Sequence, residues 1–91
     1  MARPGYMLSV SGRLRLVEEL RRRGLYVRWH AFEFLLAHKG RIAGVLLLEP
    51  SRGGCTLYCR SCPADLVQRV RDALRAAGLD AELRVVEVRS P

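Results

Sequence analysis

Three cysteines fall within eight residues as Cys55-x3-Cys59-x2-Cys62. Thiolates at such a spacing on one loop can hold three irons of a four-iron cluster and leave the fourth iron open. Tetrahedral zinc needs a fourth ligand, and the two histidines, His30 and His38, lie well back in the chain. The plainer alternative is free thiols, or one disulfide of the Cys55–Cys59 or Cys55–Cys62 kind, which intracellular proteins of hyperthermophiles do form. That alternative is the expected one, with no resident cofactor. Neither histidine neighbours a candidate nucleophile, and no P-loop or GxGxxG run is present. The broader chemical signal is cationic. Arg21, Arg22 and Arg23 are consecutive, Arg28 follows, and Tyr26 and Trp29 interleave with them. Guanidinium groups beside exposed aromatics grip phosphates and unstacked RNA bases. Trp29 suits a core or interface position better, whereas Arg21 to Arg23 read as an exposed patch facing RNA or a partner.

The charge distribution supports that reading. The chain carries 16 Lys+Arg against 9 Asp+Glu, a net charge of +7. Residues 1–45 hold nine basic and three acidic side chains, and residues 46–91 hold seven and six. Such an excess favours a polyanionic partner through phosphate neutralisation and counterion release. The competing explanation is a heat-adapted source that writes Arg wherever a charge is needed. Fifteen of the basic residues are Arg, Asn is absent and Gln68 is the one Gln, which fits such a source.

The elements that must position these groups follow from periodicity. A chain of 91 residues allows one domain, 1–91, with 1–10 as a leading arm or strand. Ser11 is placed to cap a helix whose stripe is Leu14, Leu16, Val17 and Leu20, and Gly24 stops it after the basic last turn. Residues 25–37 are rich in aromatic and β-branched types, which favours one bent strand or two short ones. The segment 30–39 also has helical spacing, so strand and helix both stand there. Ile42 to Leu48 lacks polar alternation and reads as a strand buried on both faces. One of those faces then needs cover from a partner chain.

Glu49 to Gly54 reads as a loop, and Cys55 to Arg60 as a short edge strand or an extension of that loop. Pro63 opens a second helix, capped by Ser61 or Cys62, with Leu66, Val70, Ala73, Leu74 and Ala77 inward and Asp65 paired to Arg69. Gly78 ends it, and Leu83 to Val88 is the last strand. The expected fold is therefore α/β, with two helices on a mixed sheet of four or five strands, in two or three layers. The apolar run 43–48 is far short of the ~20 residues of a membrane span. No secretory signal is visible at the N-terminus, so a cytoplasmic location is expected.

Three resemblances bear on function. The cysteine spacing resembles the cluster motif of radical S-adenosylmethionine enzymes, but Ser61 precedes the last Cys where those enzymes place an aromatic. Those enzymes also need a much larger barrel. The order of elements resembles the PD-(D/E)xK nucleases, which implies Glu33 and Glu49 as ligands of a Mg²⁺ that activates water. Here Ser51 stands at the Lys position, and Phe32-Glu33-Phe34 lacks the Pro-Asp pair.

The run Val17-Glu18-Glu19-Leu20-Arg21-Arg22-Arg23-Gly24-Leu25-Tyr26-Val27-Arg28 resembles the opening of the C-terminal domain of archaeal tRNA-splicing endonucleases. Phe34 to Gly40 and Val45 to Pro50 look like that family's next strand, turn and buried strand. The resemblance spans about residues 14–50 and implies a restriction-endonuclease-like topology. The family's catalytic set is Tyr, His and Lys, without metal. The matching positions hold Ala37, the turn Lys39-Gly40-Arg41, and Arg71 or Asp72. The glycine-rich element before the strand is shortened to residues 29–32. A scaffold without the triad resembles the structural subunit of the two-subunit enzymes, which docks a catalytic subunit and helps hold intron-containing RNA. The expectation is such a subunit in a hetero-oligomer, with a small metal-dependent nuclease or a free-standing basic nucleic-acid-binding module as alternatives.

Overall fold

In the computed structural model of the chain, residues 9–79 and 81–89 are described. The expected arm or strand over 1–10 lies almost wholly outside them, and Val10 already belongs to a helix. Helix α1, Val10–Arg22, is capped two residues before the expected Ser11. Its N-cap is Ser9, whose Oγ accepts a hydrogen bond from the Gly12 N–H at 3.0 Å, and Ser11 is an exposed helical residue. Leu16, Val17 and Leu20 form the buried stripe; Leu14, expected with them, is exposed.

The chain then forms strands β1, Tyr26–His30, and β2, Glu33–His38, which settles the ambiguous segment as a hairpin. Strand β3, Arg41–Glu49, follows a two-residue turn in which Lys39 and Gly40 both have positive φ, the geometry that matches the strands' own twist. A short 3₁₀ turn, Pro50–Arg52, leads to β4, Gly54–Cys59. Helix α2 spans Ala64–Ala76, and β5, Glu82–Glu87, completes the sheet. Pro63 is the N-cap of α2, and neither Ser61 nor Cys62 supplies a side-chain cap.

Both helices end in the same way. Gly24 and Gly78 take left-handed φ values of 85° and 78°. In each case the glycine and the following leucine, Leu25 or Leu79, donate back to the last turn. Only a residue without Cβ adopts that conformation at no steric cost, and the buried leucine then seals the helix end.

The sheet has the order β1-β2-β3-β4-β5. The first three pairings are antiparallel, and α2 crosses over so that β5 lies parallel to β4. The fold is thus α/β, with two helices and a five-stranded mixed sheet. Strand β4 is interior rather than an edge, because β5 returns beside it; that pairing is non-local and leaves no mark within residues 55–60.

Both helices pack on one sheet face, giving two layers. Val27, Phe34, Leu36, Leu46, Leu48 and Leu57 meet Leu16, Leu20, Val70 and Leu74 in one core. The other face is open. Consequently β3 is not buried on both faces: Gly44, Leu46 and Leu48 are buried, while Val45 and Leu47 are half-buried and Ile42 is 74% exposed. Among the described residues no helix is long and apolar enough to cross a membrane.

Candidate nucleic-acid interface

The arginine run predicted from sequence is divided by the fold. Glu19 is buried on α1, its side chain only 6% exposed, and Arg15, Arg22 and Arg23 surround it at 3.9, 3.5 and 2.7 Å. The Arg23 hydrogen bond holds the Glu19 carboxyl below its ordinary value, against the cost of burial and with help from the charges of Arg22, Arg23 and Arg15. Arg21 donates to the Val27 carbonyl at 3.1 Å and so ties α1 to β1. Arg22, 70% exposed, faces solvent far more fully than Arg23, which is 28% exposed. Arg28 is exposed on the open sheet face, together with Tyr26. Trp29 is half-buried, stacked on Phe34 with centroids 5.9 Å apart, and the Arg13 guanidinium lies 5.6 Å from its ring and 4.4 Å from that of Phe32. Its position is structural, as its type suggests.

The stronger cationic feature lies at one end of the sheet. There the carboxyl ends of the parallel strands β4 and β5, the β2–β3 turn and the start of α2 come together. A cavity of about 380 Å³ opens at this end, within the ~300–1,000 Å³ typical of ligand clefts. Leu25, Ile42, Ala43 and Leu66 supply its apolar lining, and Arg41, Arg60, Arg69 and His38 its cationic and polar lining. The β2–β3 turn positions His38 and Arg41, the segment after β4 positions Arg60, and the second turn of α2 positions Arg69. Asp65, also in the lining, accepts from Arg69 at 3.0 Å. Arg69 further donates to the Arg23 carbonyl, which locks α2 against the end of α1. His38 Nδ1 is 3.3 Å from the Gly24 carbonyl oxygen. The hydrogen bonds of His38 and Asp65 therefore run to other partners and do not link them into a catalytic relay.

An anion entering this cavity meets the guanidinium groups of Arg41 and Arg60, which can donate paired N–H bonds, beside the Asp65–Arg69 ion pair at the start of α2. Ligands of open α/β sheets bind at such carboxyl ends. Sequence reasoning missed Arg41, Arg60 and Arg69, because they are distant in the chain and each is flanked by unremarkable neighbours. The available signal was the placement of Arg60 just before a proline-started helix, where cations and free N–H groups reinforce one another.

The cysteines contradict the pairings expected. The disulfide joins Cys59 to Cys62, with Cα atoms 5.1 Å apart, and Cys55 is a free thiol. Cys55 and Cys59 share one face of β4, opposite Leu48 and Gly44, so four strand steps of ~3.3 Å separate them by ~13 Å. That extension prevents either pairing of Cys55. Burial pushes the Cys55 thiol up to about 12, with Glu49 adding to the effect and Arg71 opposing it. His30 lies on the open face of β1, at the far end from Cys62. Among the described residues no group of three or more His, Cys, Asp or Glu gathers closely enough to hold a metal.

Glu33 and Glu49 do share a face. Glu33 is opposite Leu47, and Glu49 lies two residues further along β3 on the open side. The Glu49 carboxylate accepts from Thr56 Oγ1 at 2.8 Å, and Arg84 is 3.8 Å away. Glu33 is exposed. Of the positions matching the splicing-endonuclease triad, Ala37 is half-buried on β2 and residues 39–40 form the tight turn. Arg71 and Asp72 lie on α2, where Asp72 accepts from Gln68 at 2.8 Å. No protein-family model, curated protein or solved structure matches the chain.

Proposed function

We propose that this chain is a non-catalytic, RNA-holding subunit of an endonuclease assembly of the tRNA-splicing type, built on a restriction-endonuclease-like scaffold and working in the cytoplasm. The observation that carries the reading is the convergence of Arg41, Arg60, Arg69 and His38 on one cavity at the start of α2. Guanidinium groups there suit the phosphates of RNA, and the apolar lining suits an unstacked base. Ala37 stands at the family's Tyr position, the short Lys39-Gly40 turn holds no His, and Arg71 or Asp72 stands at the Lys position. A catalytic subunit is therefore the implied partner.

Its docking surface is the open sheet face. Leu35, Val45, Tyr58 and Val86 run across β2 to β5 in direct register. Arg28, His30, Glu33 and Arg84 border this apolar row. An apolar row with a polar surround is the usual form of a protein-binding surface. The test mixes the chain with a Tyr/His/Lys-bearing catalytic subunit from the same source, sizes the product by light scattering and assays cutting of intron-containing tRNA precursor. A complex of defined mass should form, cutting should require both chains, and Val45→Asp should abolish both. A chain that stays apart from the catalytic subunit contradicts the reading.

A further inference from the structure

The segment that carries Arg60 and Ser61 into the cavity is also the segment closed by the Cys59–Cys62 disulfide. We propose that Cys59 and Cys62 form a thiol–disulfide exchange site, opened by a dithiol reductant of the thioredoxin class, whose redox state sets the shape of the cationic cavity.

Four features of the geometry carry this. First, Cys62 is only half-buried, while Cys59 is buried at the end of β4, so an attacking thiolate has one accessible sulfur. Second, Ser61 and Cys62 both take left-handed φ values, 58° and 34°, which L residues adopt at a steric cost. The closed loop holds them there, and opening it releases them. Third, the dithiol form is also accommodated. Cys62 Sγ lies 3.2 Å from the Cys59 carbonyl oxygen and 3.8 Å from that of Val86, so a Cys62 thiol finds acceptors in place. The freed Cys59 remains a small apolar group in the core. Fourth, Cys55 is buried on the core face of β4, some four strand steps from Cys59, and cannot divert the exchange into a second pairing.

The chemistry balances as an ordinary exchange. A thiolate of the reductant attacks Cys62 Sγ, the Cys59–Cys62 bond breaks, and Cys59 leaves as a thiolate that takes a proton from solvent. The reductant's second thiolate then attacks its own sulfur in the mixed disulfide and releases the Cys62 thiolate, which is protonated in turn. Two electrons and two protons pass to the chain, and the reductant becomes a disulfide. The start of α2, two residues beyond Cys62, favours that second leaving thiolate. With the loop open, Ser61 and Cys62 relax toward right-handed backbone, and Arg60 loses its fixed place at the cavity.

The exchange itself does not depend on the RNA reading; only its consequence for binding rests on it. The experiment equilibrates the full chain in reduced-to-oxidised dithiothreitol buffers, with three readouts. Mass after thiol alkylation should show two sites titrating together in the folded chain, and amide exchange over 60–66 should quicken on reduction. Binding of a fluorescein-labelled oligouridylate should weaken ~3- to 10-fold on reduction, the penalty of ordering one freed long side chain. The Cys59→Ala/Cys62→Ser variant should match the reduced chain in both oxidation states, and Arg60→Ala should remove the redox difference in binding. Alkylation that occurs only on global unfolding, or amide exchange that is unchanged by reduction, overturns the exchange site. RNA binding that is equal in both states overturns its control of the cavity and leaves the RNA reading standing. Quickened amide exchange without RNA binding in either state supports the exchange site and overturns the RNA reading instead.

Discussion

At the scale of single residues, Glu19 organises the cationic end of α1. Its carboxylate is nearly enclosed, and the Arg23 hydrogen bond at 2.7 Å is the largest reason it stays ionised. Because its folded value lies below the ordinary 4.5, the ionised form stabilises the fold above that pH. The contribution is lost as pH falls through the lower folded value. Glu19→Gln should therefore lower stability at neutral pH, and the gap to the parent chain should narrow progressively below pH 4.5. Urea denaturation followed by circular dichroism across that range measures it, and a gap independent of pH would contradict the assignment. The same carboxylate divides the arginine run that reads as one patch in the sequence. Three consecutive cations are visible in the sequence, but the one acid that binds Arg23 firmly and draws in Arg22 becomes visible only when the helix turns them onto one side. Arg21 is likewise committed to a carbonyl that the β1 strand supplies.

At the scale of elements, β3 is the central strand of the sheet, and at Gly44 the approach of β4 leaves no room for a side chain. A Cβ there would lie 2.6 Å from the Tyr58 carbonyl oxygen, a backbone atom that cannot move aside. Gly44→Ala should cost about 1–3 kcal/mol, the range of overpacking in a tight core. Chemical denaturation measures the loss, and an unchanged midpoint would contradict the close packing of β3 on β4 at Gly44.

Most elements were legible because their signals are local. The stripes Leu16-Val17-Leu20 and Leu66-Val70-Leu74 have helical period, and Gly24 and Gly78 mark both stops. The hairpin over 26–38 was ambiguous because aromatic residues at helical spacing also fit a two-residue turn at Ala31-Phe32, which no Gly or Asn announces. The interior place of β4 and the one-sided cover of β3 were not legible. Both depend on where β5 and the helices return, and an apolar run cannot say whether its second face meets a helix or solvent.

At the scale of the whole molecule, charge and apolar surface are separated. The end that gathers Arg41, Arg60 and Arg69 is cationic, and the row Leu35, Val45, Tyr58 and Val86 is apolar and lies on the open face of the sheet. The excess of positive charge was legible from composition, but where the fold gathers it was not. The charge excess of the first 45 residues pointed to α1, whereas the cavity draws two of its three arginines, Arg60 and Arg69, from the second half, where acids nearly balance the bases. Of those acids, Asp65 lines the cavity, and it is paired there with Arg69. The central claim is that this end holds the phosphates of RNA, and salt dependence tests it most directly. We would measure binding of a single-stranded RNA over a salt series for the parent chain, for Arg41→Ala/Arg60→Ala, and for Arg75→Ala at the far end of α2. Each lost phosphate contact should flatten the log–log slope by ~0.7, so the double variant should lose ~1.4 in slope and bind about tenfold more weakly at low salt. Arg75→Ala should follow the parent. A double variant with the parent's slope and affinity would contradict the account.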